Sequence, residues 1–167
     1  MASNIRDERD ILAAIIEKYQ SLDEPRYDFV TDAIAARPYA GVVQTLSEMF
    51  DTKEDTDPND DVSFGYLVSK GRERLFLQLS MVGPYAALQR LLADGTTVLL
   101  DPDRSALSAF ERSVMEVLEQ AAMIVLGENA LSHPIELRLF NTTAERGKAY
   151  QSLFSDTDAL PWGGVAP

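Results

Sequence analysis

Cysteine is absent from this chain, and histidine and tryptophan each occur once. Without thiols there is neither a disulfide framework nor a thiolate metal site, so stability must come from packing and hydrogen bonding. The lone histidine, His133, would leave a zinc site to be completed by carboxylates alone, and it restricts any Ser-His-Asp arrangement to one residue. No serine lies in a Gly-x-Ser-x-Gly elbow, and no G-x-G-x-x-G or Walker pattern is present to cradle a phosphate. No apolar run approaches the about eighteen residues that cross a bilayer, and the first residues are charged from Arg6 onward, unlike a signal-peptide core. The expected setting is therefore the cytosol.

Positive charge is also scarce: 15 Lys and Arg stand against 27 Asp and Glu, a net charge of −12. A field of that sign repels nucleic-acid phosphates, so direct nucleic-acid binding is not expected. It would attract a basic protein and speed encounter with it, an effect that falls as salt rises. With 167 residues and 46% of them hydrophobic, the chain suits one domain with a sizeable core. That domain is expected over residues 1–162, with 163–167 as a mobile tail.

Apolar spacing predicts a first helix over residues 4–20, with Ile5, Leu12, Ile15, Ile16 and Tyr19 on its buried face. A brief connecting helix is expected over 32–37, bounded by Pro38, and a further amphipathic helix around Val42, Val43, Leu46, Met49 and Phe50, in preference to the strand that its β-branched start would also allow. The period then changes to two over residues 62–68 and 75–81, with Gly71 between them, which predicts an antiparallel hairpin. After Gly83-Pro84, residues 85–92 read equally as a short helix or a bent strand, and Asp94-Gly95 as a helix terminator or a turn. Residues 96–100 are β-rich. A long helix is expected from 104 or 105 to 125, with Leu107, Phe110, Val114, Val117, Leu118, Ala121, Ile124 and Val125 inward. A short strand is expected over 135–139, a loop over 141–147, and either a strand or a helical turn over 148–154. The class is α+β: an antiparallel sheet with a central hairpin, packed by an N-terminal helix and one long helix.

The most distinctive stretch is residues 51–61, DTKEDTDPNDD, with six carboxylates and one lysine. Its acids, Asp51, Glu54, Asp55, Asp57, Asp60 and Asp61, are the candidate partner-binding residues of a mobile loop feeding the sheet edge, and Asp7, Glu8, Asp10, Asp23, Glu24, Asp28 and Asp32 add to the acidic surface. Asp55, Asp57 and Asn59 have the spacing that opens a calcium-binding EF-hand loop. The pattern then breaks, with Asp60 where a glycine turns the loop and Tyr66 where a bidentate Glu belongs, so neither a metal nor a cofactor is expected. Asp101 with Asp103, and Asp156 with Asp158, could serve acid-base or metal-assisted chemistry, but each pair adjoins a proline turn and no enzyme is expected. Trp162 reads as a hydrophobic plug in preference to an exposed interface anchor.

Residues 77–90 (LQLSMVGPYAALQR) after the hairpin, and 153–162 (LFSDTDALPW) near the end, in a small acidic cysteine-free frame, resemble the bacterial immunity proteins that neutralise polymorphic or contact-dependent toxins. The resemblance implies an inhibitor that binds a cationic toxin domain, such as a basic nuclease. A metal- or ligand-responsive regulatory domain is the alternative.

Overall fold

The computed structural model describes residues 5–103 and 105–163. Asn4, Arg104 and residues 164–167, on which some expected boundaries and most of the tail fall, lie outside the described residues. The class is α+β, as expected.

The sheet is built outward from the hairpin. Strands β2 (Ser63–Lys70) and β3 (Glu73–Ser80) are joined by a two-residue loop whose first residue, Gly71, has φ +62, the left-handed position that the right-handed twist of a tight hairpin requires. Their register pairs Phe64 with Leu79, Tyr66 with Leu77 and Val68 with Leu75, which places one apolar row on a single face. β1 (Asp51–Glu54) lies outside β2; β4 (Tyr85–Leu91) and β5 (Thr97–Leu99) extend the other side in sequence order, all antiparallel. The segment left open in the sequence is thus a strand. β4 is central and covered on both faces, so Tyr85 to Gln89 are buried without a break and the alternation that marks a half-exposed strand disappears. Asp94-Gly95 is the turn into β5, with Gly95 at φ +87 and the Asp94 carboxylate accepting from the Thr96 amide and hydroxyl at 3.0 and 2.6 Å.

Among the described residues six α-helices surround this sheet, and the hydrophobic periods locate them better than they locate their buried faces. α1 (Ile5–Tyr19) buries Ile11, Ile15 and Tyr19, whereas Leu12 and Ile16, expected inside, are exposed. α2 (Asp28–Ala36) begins before the expected 32–37 and buries Phe29, whose ring meets Tyr19 edge-on at 4.9 Å. It is therefore part of the core as well as a connection. α3 (Ala40–Met49) buries only Leu46 completely.

α4 (Ala109–Gln120) is shorter at both ends than the helix expected from 104 or 105 to 125. It starts at Ser108, whose hydroxyl accepts from the Glu111 amide at 3.1 Å while Glu111 accepts from the Ser108 amide at 2.9 Å. It stops before Ala122, which turns left-handed at φ +59, and Ile124–Val125 become strand β6, parallel to β4. The buried face is Phe110, Val114, Val117 and Leu118, while Ile124 is exposed. The α5 (Glu128–Leu131) turn follows. The expected strand at 135–139 is extended, with Ile135 and Leu137 buried between exposed neighbours, but its nearest ladder contact is the isolated Pro134–Lys148 bridge. Its Arg138 amide instead donates to the Leu22 carbonyl at 2.9 Å. Residues 148–154 resolve to α6 (Ala149–Leu153).

Each sheet face has its own cover. α3 and α4 pack on the face of Phe64 and Tyr66, and from that face Arg90 of β4 donates to both Glu111 oxygens at 2.7 Å. α6 lies on the opposite face, where Gln78 of β3 accepts from Tyr150 at 3.1 Å and from Gln89 of β4 at 3.2 Å. No helix of the described residues is long and apolar enough to cross a membrane.

Glu111 joins the helix cap to the sheet, and its carboxylate is 3% exposed. Burial alone would raise its pKa, but the bonds from Arg90 and Ser108 outweigh burial and hold it below the ordinary value. Glu111→Ala should cost about 3 kcal/mol in chemical denaturation, from loss of the cap and the stranded Arg90. A depressed carboxylate contributes stability above its unfolded pKa and loses it as pH falls through the folded one. The difference between wild type and variant should therefore narrow below pH 4.5, the ordinary value; an unchanged difference in acid would contradict this role.

Candidate functional site

The acidic tract, expected from its composition to be a mobile loop, divides into two hydrogen-bonded parts, a strand and a turn. Asp51 and Glu54 begin and end β1, in register with Ser69 and Tyr66. Asp55 continues alongside β2, its amide donating to Gly65 O at 2.7 Å. Glycine is needed at 65, because a Cβ there would lie 2.8 Å from the Asp55 carbonyl oxygen. The Gly65 amide returns a bond to the Thr56 hydroxyl at 3.1 Å.

The remaining acids belong to a tight turn. Asp57 Oδ1 accepts from the Asn59 amide at 3.1 Å, and the Asp57 carbonyl accepts from the Asp61 amide at 2.8 Å. The turn is then pinned to the chain leaving α6. Val62 N–H donates to Phe154 O at 3.0 Å, the Asp156 amide donates to Asp60 O at 3.1 Å, and the Ser155 hydroxyl donates to Asp61 Oδ1 at 2.6 Å. Backbone groups committed in this way do not leave a free loop.

This pairing brings Asp156 and Asp158 beside Asp57, Asp60 and Asp61 around one open depression of about 570 Å³. Asp51, Glu54 and Asp55 do not line it. Asp156 and Asp158 also organise the adjoining 140–146 loop. Asp156 accepts from the amides of Phe140 and Asn141 at 2.9 and 3.0 Å and from the Thr142 hydroxyl at 2.7 Å. Asp158 accepts from the Thr143 amide at 3.2 Å and from Arg146 at 3.1 Å. Held by that loop, Phe140 is 86% exposed, its ring 5.8 Å from that of Tyr27. Phe140 carried no signal in the sequence beyond an alternating pattern, and Asp156 and Asp158 suggested chemistry or a turn and not a shared face with residues nearly a hundred positions earlier.

The other residues considered in the sequence fall elsewhere. Asp101 Oδ1 caps the Asp103 amide at 2.9 Å, a turn role. His133 follows α5, with Nδ1 3.7 Å from the Glu8 carboxylate. Trp162 is a plug, edge-on to Tyr150 at 4.9 Å. Among the described residues no group of three or more His, Asp or Glu side chains is arranged to hold a metal ion. Compared with protein-family models, curated proteins and solved structures, the chain matches none.

Asp61 is half-buried. Burial raises its pKa, the Ser155 hydroxyl opposes the rise, and the Asp57 and Asp60 charges add to it. A raised carboxylate destabilises the fold progressively as pH climbs from 3.8, its ordinary value, through its folded value. Asp61→Asn keeps an acceptor for Ser155 and removes the charge, so it should raise the melting temperature at neutral pH, with a gain that shrinks towards pH 3.8. A gain independent of pH, or a loss at pH 7, would show that the charge is not the cost.

Proposed function

We propose that this protein is an acidic inhibitor of the immunity class, acting in the bacterial cytosol by binding a cationic toxin domain such as a basic nuclease. The observation that carries the reading is the convergence of five aspartates from two distant segments around one depression, beside an exposed phenylalanine. That is the anatomy of a charged recognition surface with an apolar anchor. No metal-responsive alternative is favoured, because the carboxylates of Asp156 and Asp158 are directed at the amides and side chains of the adjoining loop.

The two parts of this surface have separable effects. Exposed carboxylates contribute little net affinity one by one, but their summed field steers a basic partner and can raise association rates by about a hundredfold at low salt. A buried aromatic anchor acts on dissociation, and removing one costs about 2 kcal/mol, a factor of about 30 in Kd.

Binding to cationic toxin nuclease domains, followed by surface biosensor at low and high salt, tests the reading. Asp57→Asn with Asp60→Asn, which retain acceptors for Asn59 and Asn141, should slow association at low salt and change little at high salt. Phe140→Ala should accelerate dissociation at both. Tight binding indifferent to all three substitutions would remove this surface from recognition, and absence of binding to any cationic domain tried would count against the proposal itself.

A further inference from the structure

A second concavity, about 360 Å³ in volume, lies where α3 meets the outer end of the sheet, and it does not share its lining with the acidic depression. Phe64 and Tyr66 of β2 line it together with Tyr39 and Val43. The Tyr39 ring is fixed: its hydroxyl donates to the carbonyls of Ser80 and Gly83 at 2.6 and 2.9 Å, and it meets Phe64 edge-on at 6.1 Å. The one acid at this site is Glu54, the last residue of β1.

One of the chain's own cations already sits there. Arg37 ends α2 in the left-handed conformation, φ +48, and its guanidinium carbon is 5.3 Å from the centre of the Phe64 ring. Its Nη1 donates to both Glu54 oxygens at 3.0 Å. A carboxylate beside an aromatic face is the chemistry that recognises a planar guanidinium better than a compact ammonium. The occupant is held loosely, since the Arg37 and Glu54 side chains are 48% and 38% exposed and an ion pair so open to water is weak and exchangeable.

We infer that this groove is a seat for an arginine side chain of the cationic partner, and that Arg37 is an internal stand-in which the incoming arginine displaces. The identity of the partner rests on the function proposed above; the chemistry of the seat rests on the groove alone. An arginine arriving on a protein surface would be shielded from water by its own backbone and neighbours, which strengthens the same contacts that Arg37 makes in the open. Release of Arg37 returns its charge to solvent and leaves the helix end in place, because the Arg37 amide remains bonded to Ala33 O at 2.9 Å.

The test uses N-acetyl-arginine amide, and its lysine counterpart, titrated against the whole protein while backbone amide resonances are followed by NMR. Arg37→Gly empties the seat without backbone strain, since glycine adopts positive φ freely and is favoured at this helix-end position. The arginine probe should shift the resonances of Tyr39, Glu54, Phe64 and Tyr66, with affinity about tenfold higher in Arg37→Gly than in wild type. The lysine probe should bind more weakly, and Glu54→Gln should abolish the response. Equal or lower affinity in Arg37→Gly, or shifts confined to residues 57–61 and 155–158, would overturn the inference. If the probe fills the groove but no cationic protein binds, the seat stands and the function fails. If a cationic protein binds and the groove is silent to both probes, the function stands and the seat fails.

Discussion

Three side-chain hydroxyls close the buried end of α6, and much of the molecule is arranged by that closure. The last carbonyls of a helix have no partner within it, and α6 ends inside the protein. Tyr19 of α1 donates to Ser152 O at 2.7 Å, Ser80 of β3 to Leu153 O at 2.7 Å and Ser63 of β2 to Phe154 O at 2.9 Å. Each carbonyl left dry would cost about 1–3 kcal/mol, a large share of a domain's net stability. One short helix near the C-terminus thus fixes the N-terminal helix and both strands of the hairpin to each other.

The direction in which the chain leaves α6 determines the surface. Phe154 O also accepts the Val62 amide, so residues 154–156 run beside 60–62, and the two acidic segments meet. The same departure places Asp156 where it can gather the amides of Phe140 and Asn141, which presents the phenylalanine ring to solvent. The clustered charge and the exposed phenylalanine are therefore consequences of one backbone path. On the covered side, the bonds among Gln78, Gln89 and Tyr150 set α6 against the central strands, and burial holds the Tyr150 hydroxyl well above its ordinary pKa so that it remains a donor.

Where apolar spacing met a half-exposed element, the structure was legible. The hairpin follows from the alternation on either side of Gly71, whereas apolar spacing puts the start of α4 at 104 or 105 and the Ser108–Glu111 capping box sets it at Ala109. The failures occur where tertiary context overrides a local signal. Tyr85–Leu91 reads ambiguously because Gly83-Pro84 suits a helix start as well as a bent strand and burial on both faces removes the alternation, and Ile124–Val125 continue a helical period yet pair with β4. Ile135 and Leu137 alternate correctly without finding a neighbouring strand. In the acidic tract, composition suggested mobility, but Asp55 pairs with Gly65 and Asp61 with Ser155, partners ten and ninety-four residues away. The second of these carries no local signal, so the face that joins Asp57, Asp60 and Asp61 to Asp156 and Asp158 is not legible in the sequence.

An acidic face that steers and anchors a partner must keep its geometry before the partner arrives; otherwise ordering it would consume part of the binding energy. The most direct measurement is native-state amide hydrogen exchange across residues 57–62 and 155–158, compared with β2 and β3. The predicted result is slow exchange at Asp61, Val62 and Asp156, whose amides donate to Asp57, Phe154 and Asp60, within about a hundredfold of the rates for Leu77 and Leu79. Exchange of those three amides at the rate of an unstructured peptide, with the hairpin still protected, would contradict a preformed face.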